Sequence, residues 1–193
     1  MARVALHITG DPEADSFLSE DPLALIIGML LDQQVTMEKA FSSPAELARR
    51  LGGSLDAAAI AAMPSDRLTE LFKERPALHR YPGSMAGRVR ELCRVIAEEY
   101  DGQADAIWQD VDSGDELVAR LTSLPGFGVQ KAKIFAALLG KQLGVDPTGW
   151  QKATAPYGEV DAFLSVADIT SPETLEKVRA NKRAIKAKAH AKA

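Results

Sequence analysis

The chain predicts an all-α fold, and three observations carry that prediction. Apolar residues recur at helical spacing along most of its length. Helix-start and helix-stop residues punctuate it at short intervals. Strand-like alternation is almost absent after Thr9. With 193 residues, 46% of them hydrophobic and 26% charged, there is enough apolar material for one sizeable core or two small lobes.

Taken in order, Arg3–Thr9 alternates loosely and forms a short extended arm, broken at Gly10-Asp11-Pro12. A helix covers Glu13–Ser19. Asp21-Pro22 supplies an N-cap and then proline at the first helical position, where its missing N–H is not needed. The helix that follows, Leu23–Gln34, is apolar nearly all round, and a helix without a polar face belongs at the centre of a bundle. Ser43-Pro44 opens a helix that runs to Leu51 and is closed by Gly52-Gly53. Leu55–Met63 and Ser65–Phe72 are short helices divided by Pro64. After a break over Pro76–Gly83, Ser84–Tyr100 is a long amphipathic helix ended by Asp101-Gly102.

Asp112-Ser113-Gly114 introduces the next helix, in which Leu117, Val118, Leu121 and Leu124 share one face. Past Pro125-Gly126-Phe127-Gly128 the period resumes with Val129, Ala132, Phe135, Leu139 and Leu143. The segment is therefore helix, tight glycine turn, helix. Gly126 and Gly128, lacking Cβ, can take positive φ and lie close to another backbone. The N–H groups of the turn and of the second helix's first turn have no intrahelical partners. With the helix dipole behind them they offer an anion site, to which Lys131 and Lys133 add charge. Two readings of this turn stay open on its own residues. One is an element that grips DNA phosphates without reading bases. The other is a Pro-Gly connection in a helical protein that meets no DNA. After Leu143 the chain passes Gly144, Asp146-Pro147 and a short helix around Trp150, and a last helix starts at Pro172.

Cys93 is the single cysteine, which excludes an intramolecular disulfide, a cysteine-held iron–sulfur cluster and a thiolate zinc site. With Val89, Leu92 and Ile96 it lines one helical face and is a core residue. His7, His79 and His190 have no metal-ligand spacing, and no metal is expected. No apolar run is long enough to span a bilayer, and no secretory apolar stretch follows Met1–Ala5, so the expectation is a cytoplasmic protein. A net charge of −4 argues weakly against general coating of nucleic acid. The charge is uneven, however. Residues 172–193 hold seven basic side chains against two acidic ones, about +5, which leaves about −9 for the rest. That tail is either a phosphate-binding face or, past Ala184, a solvated helix end.

Three features now occur in a recognisable order: the apolar helix ending in Leu30-Leu31-Asp32-Gln33-Gln34-Val35-Thr36, the Tyr81-Pro82-Gly83 entry to the basic helix at Arg88–Arg94, and the hairpin Leu124–Ala132. Together they resemble the helix-hairpin-helix (HhH-GPD) DNA glycosylases of base-excision repair, the superfamily of endonuclease III, the adenine-mismatch glycosylase and the alkyladenine glycosylases. The likeness covers roughly Asp21–Pro147 and is strongest to short bacterial members without an iron–sulfur cluster.

The resemblance implies a two-lobed fold. A helical barrel would span residues 21–143, with the hairpin at about 115–143. Residues 1–20 and 144–193 would form the second lobe, and the lesion pocket would lie in the cleft between them. It implies a monomer acting on double-stranded DNA and flipping the target base, since a stacked nucleotide hides its glycosidic bond. It implies no cofactor beyond a monovalent cation that hairpin carbonyls hold in such folds. Gly126, Phe127, Gly128, Val129, Lys131 and Lys133 would meet the DNA. Gln33 and Gln34 match positions where relatives place polar residues that fill the vacated stack or touch the flipped nucleotide.

Two mechanisms occur in this superfamily. Bifunctional members use a lysine of the second hairpin helix as nucleophile. That position here is Gln130, whose amide cannot form a Schiff base, and Lys131 lies one residue on, about a quarter-turn away. Strand cleavage through lysine is therefore not expected. Monofunctional members use a carboxylate downstream of the hairpin, and Val145-Asp146 resembles the Val-Asp that carries it. Asp146 is the candidate on that account, and an ordinary helix N-cap before proline on the other. Glu159 and Asp161 are weaker candidates. Asp32 sits beside the glutamines, and Trp150 and Tyr157 are the aromatics placed to stack a flipped base, while Trp108 belongs to the core. The expectation is thus a monofunctional glycosylase. The alternatives are a DNA-binding protein on the same scaffold without hydrolysis, and a helical module whose hairpin meets protein.

Overall fold

Local capping chemistry starts most of the helices. In the computed structural model, which describes residues 4–192, α1 (Pro12–Glu20) and α2 (Pro22–Leu31) begin at Asp11 and Asp21, whose carboxylates accept first-turn N–H groups. Thr36 caps α3 (Met37–Arg50) in the same way, and Asp56 caps α4 (Ala57–Ala62). Next come α5 (Ser65–Lys73) and α6 (Pro82–Glu99). Ser113 caps α7 (Gly114–Thr122), which is followed by α8 (Val129–Gln142), the short α9 (Trp150–Ala153) and α10 (Pro172–Ala191). A reciprocal Ser171–Thr174 capping box opens α10. No strand occurs among the described residues, so the fold is all-α. No described helix is long and apolar enough to cross a membrane.

Helix α2 is the centre of the core. Every residue from Leu23 to Leu31 is buried, and the helix packs on α1, α3, α6 and α8. Behind it, α6 lies across α4 and α5, and α7 pairs with α8. Trp108 packs edge-on against Phe135 of α8, as does Phe127 of the hairpin. The end of α8 is tied to the segment before α10 by a partly buried Lys141–Asp168 ion pair of 2.5 Å and by Gln142, whose amide donates to the Ala167 and Ile169 carbonyls.

Two local expectations are corrected, and two further segments take definite form. The apolar helix ends at Leu31 rather than Gln34, because side chains take its last carbonyls. The Leu30 carbonyl accepts from Gln33 Nε2 and Lys131 Nζ, and the Leu31 carbonyl lies 3.1 Å from His79 Nε2. The helix expected to open at Ser43-Pro44 begins six residues earlier, at Met37. Pro44 sits inside it on the buried face with Met37, Ala40, Phe41, Leu47 and Ala48, so burial of that face outweighs the hydrogen bond that proline removes. The arm expected over Arg3–Thr9 pairs with no strand, and its first residue lies outside the described residues. The basic tail, for which a phosphate-binding face and a solvated helix end were both open, is helical through Ala191.

Candidate functional site

The turn between α7 and α8 shows why this sequence needs glycine at one position. Gly126 has φ +80°, and a Cβ there would lie 2.4 Å from Leu30 Cδ1. The hairpin thus rests directly on the last turn of α2. Gly128, expected to share that role, has φ −82° and open space around it, so only Gly126 is conformationally required. Phe127 faces inward and is buried; its N–H donates to the Leu124 carbonyl and closes the turn. Val129 is 56% exposed at the tip. No side chain caps α8. Its first intrahelical bond runs from Ala132 N–H to the Gly128 carbonyl, so the N–H groups of Val129, Gln130 and Lys131 precede the ladder and face outward.

Beside this helix start lies a cleft of about 690 Å³, within the range of ~300–1,000 Å³ typical of ligand pockets. The end of α2 contributes Asp32, Gln33 and Gln34. The first turns of α8 contribute Gln130, Lys131 and Ile134. Pro156 and Tyr157 close another side, and α10 supplies the outer wall. Gln130 Nε2 donates to the Tyr157 hydroxyl at 2.9 Å. Lys131 also lines the cleft, although one residue along a helix turns a side chain away. Its flexible stem bends back so that Nζ reaches the Leu30 carbonyl at 2.9 Å. Burial of the ammonium lowers the Lys131 pKa to about 8, against the opposing pull of Asp32. Asp32 is shifted the other way: burial raises its carboxyl above the ordinary value, while Lys182 and Lys131 pull it back.

The backbone beneath the glutamines is held in an uncommon shape. Gln34 has φ +58°, the left-handed region that side-chain-bearing residues rarely adopt, and its side chain is exposed. A buried histidine fixes this turn. His79 Nδ1 accepts the Tyr81 N–H, so its Nε2 carries the proton and points at the Leu31 and Gln33 carbonyls, 3.1 and 2.9 Å away. Arg88 of α6 donates to Gln33 Oε1 at 3.2 Å. Gln33, Gln34, His79, Tyr81 and Arg88 also line a smaller hollow of about 230 Å³ on the far side of the turn. The roles of His79 and Arg88 had no local signal, because each acts through carbonyls and amides 46 to 55 residues away in sequence. The helical spacing of Lys182, Ile185, Lys186 and Ala189 was a signal, and these residues form the cleft's outer wall.

Several expected site residues are not brought to the cleft. Asp146 is exposed on the link after α8, about 20 Å of helix from Gln130 by the rise of a 14-residue helix. It caps nothing either, since the short helix begins at Trp150 with Gly149 before it. Trp150 packs its ring on Gly140, where a Cβ would meet it at 2.6 Å, and its backbone lies against Gly114. It is a packing residue between the ends of α7 and α8. Lys133 Nζ reaches the Ala155 carbonyl at 3.4 Å and braces the loop that carries Tyr157. Glu159 and Asp161 are not among the residues lining the cleft. No group of three or more His, Cys, Asp or Glu side chains converges among the described residues.

No curated protein and no solved structure matches the chain. A family model does, over residues 27–192, from the middle of α2 to the end of α10. Because that match embraces the glutamine turn, the hairpin and the cleft wall together, the chain belongs to the HhH-GPD superfamily of base excision DNA repair proteins.

Proposed function

We propose that the protein is a monofunctional DNA glycosylase that flips a damaged or mismatched base into the cleft and hydrolyses its glycosidic bond. The observation that carries this reading is the gathering of Asp32, Gln33, Gln34, Gln130, Lys131 and Tyr157 around one cleft at the uncapped start of α8. The barrel segment 21–143 and the terminal segments 1–20 and 144–193 are proposed as its two lobes. In support, the cleft is lined by α2 and α8 on one side and by Pro156, Tyr157, Leu164 and α10 on the other. The outward N–H groups of α8 and the tip of the hairpin would receive a phosphate. Gln34, exposed on a constrained turn between the two hollows, would enter the stack as the base leaves it.

Asp32, rather than Asp146, is proposed as the carboxylate of the reaction. It is the one acidic side chain among the residues lining the cleft. As the bond from C1′ to the base nitrogen breaks, positive charge develops on the sugar, and an ionised carboxylate facing it lowers the barrier. The same group accepts a proton as water adds to C1′ and returns it to the departing base nitrogen, so that water's two parts end on the sugar and the base and the carboxylate is regenerated. A carboxyl whose pKa burial has raised is a better proton acceptor than a free one. Gln130 leaves the usual lysine position without a nucleophile, which favours hydrolysis over Schiff-base chemistry. A monovalent cation, when bound, would sit on hairpin carbonyls such as that of Leu124, which accepts one N–H and keeps a second lone pair, and no step depends on the ion.

The test is base release from duplexes that each carry hypoxanthine, uracil, an oxidised guanine, an alkylated purine or a mismatch, read as strand breaks with and without alkali. Breaks only after alkali, lost in Asp32→Asn and kept in Asp146→Asn, are expected. Breaks without alkali would overturn the monofunctional reading, and loss in Asp146→Asn alone would return the carboxylate role to that residue. Salt-sensitive binding without release on any duplex would favour a DNA-binding protein without hydrolysis.

A further inference from the structure

Helix α10 is anchored at one end. Leu175 and Val178 are its buried residues, and both lie in its first half. Its polar ties stop early as well. Arg179 pairs with Glu38 of α3 and with Glu176, Asn181 Nδ2 donates to the Phe163 carbonyl at 3.0 Å, and the Lys177 ammonium lies 4.7 Å from the centre of the Phe163 ring. From Lys182 to Ala191 every side chain is exposed. This half of the helix is rich in alanine, lysine and arginine, so propensity rather than burial sustains it.

One face of that half nonetheless borders the cleft. Lys182, Ile185, Lys186 and Ala189 follow the i, i+3, i+4, i+7 spacing of a single helical stripe. Ile185 is 54% exposed, an apolar side chain held between two cations one turn apart, about 6 Å along the axis. Neither lysine closes an ion pair among the described residues, whereas Arg179 on the same helix pairs with two carboxylates. The opposite wall holds Lys131, in the first turn of α8. Three lysines thus line the cleft against one carboxylate, Asp32, in a molecule of net charge −4, and the occupant that suits both walls is polyanionic.

We propose that the Lys182–Ile185–Lys186 face of α10 is a second contact surface for duplex DNA, gripping phosphates across the cleft from the hairpin while Ile185 lies against the sugar between them. The proposal rests on the DNA-repair reading above, and it adds a surface outside the hairpin. Each ammonium that meets a phosphate releases condensed counterions, so this wall makes a defined contribution to the salt dependence of binding.

The experiment is a titration of the full chain with a fluorescent duplex bearing one tetrahydrofuran abasic-site analogue, repeated between about 50 and 200 mM KCl. Wild type is compared with Lys182→Ala/Lys186→Ala and with the charge-matched Arg183→Ala/Lys188→Ala, whose side chains do not border the cleft. Alanine keeps helix propensity, so a change does not arise from unwinding. The cleft-facing pair is expected to lose several-fold in affinity and to flatten the plot of log K against log salt by about 0.9 for each phosphate contact removed. The control pair is expected to change the slope much less. Equal effects in both pairs would reduce α10 to bulk charge and overturn the proposal, as would no change in Lys182→Ala/Lys186→Ala. Wild type without salt-sensitive binding would overturn the DNA reading itself, and this surface with it.

Discussion

Lys131 and Gln130 show how much a single register position decides. Under the function proposed above, Gln130 stands where a bifunctional relative would carry an amine, and its amide donates to the Tyr157 hydroxyl. Lys131 reaches the same cleft, but its amine is spent on the Leu30 carbonyl and is partly stripped of water. Because its pKa is lowered to about 8, the ammonium that attracts phosphate is present below that pH and is lost above it. Affinity of the wild type for an abasic-analogue duplex at fixed ionic strength is therefore expected to fall between pH 7 and 9. Lys131→Gln should bind more weakly at pH 7 and vary much less over that interval. Identical pH profiles for the two proteins would show that Lys131 does not contribute its charge to binding. From the hairpin motif the sequence singled out Lys131 as a DNA-contact candidate and Gln130 as the residue at the usual lysine position. It did not show that Lys131 bends back toward α2, because that contact joins residues 101 positions apart.

Among the elements, the hairpin is fixed by its seat on α2. Gly126 is required twice over, by its positive φ and by Leu30 Cδ1 beneath it, while Gly128 is required by neither. Gly126→Ala is expected to destabilise the protein by about 1–3 kcal/mol through overpacking and backbone strain. For a chain of this size each kcal/mol corresponds to about 2–4 °C in Tm. Gly128→Ala should stay close to wild type. A thermal melt of the two variants that shows equal losses would contradict the close approach. The cap at Asp21 and the helix entry at Ser113-Gly114 were legible in the sequence because a cap is made within four residues, whereas Asp56 caps a helix that was expected to start before it, at Leu55. The start of α3 was not. Ser43-Pro44 has the form of a helix opening, but Thr36 supplies the cap and the buried face carries the helix through Pro44.

At the scale of the whole molecule, one apolar helix organises the core and one basic helix borders the cleft. The core around α2, α6 and α8 is continuous, and Cys93 lies fully within it. Burial pushes its thiol up to about 12, so little thiolate exists at neutral pH. The native protein is expected to leave a chromogenic disulfide reagent unreacted at pH 8 and to release one equivalent of chromophore in denaturant. Rapid reaction without denaturant would mean that the α6 face opens readily. Asp168, paired with Lys141, joins α8 to the segment that leads into α10, and so links the hairpin helix to the opposite wall of the cleft.

The sequence by itself determined the all-α class, most helix boundaries, the helix–turn–helix segment and the family. These follow from periodicity, caps and turn chemistry, which act over a few residues. Tertiary structure decided which of the candidates meet. It brought Asp32, Gln33, Gln34, Gln130, Lys131 and Tyr157 to one cleft, left Asp146 at the far end of α8 and buried the ring of Phe127. It also placed His79 under the glutamine turn and set a stripe of α10 opposite the hairpin. Desolvation, long hydrogen bonds and close backbone approach depend on neighbours distant along the chain, and for that reason they emerge only once the chain has packed.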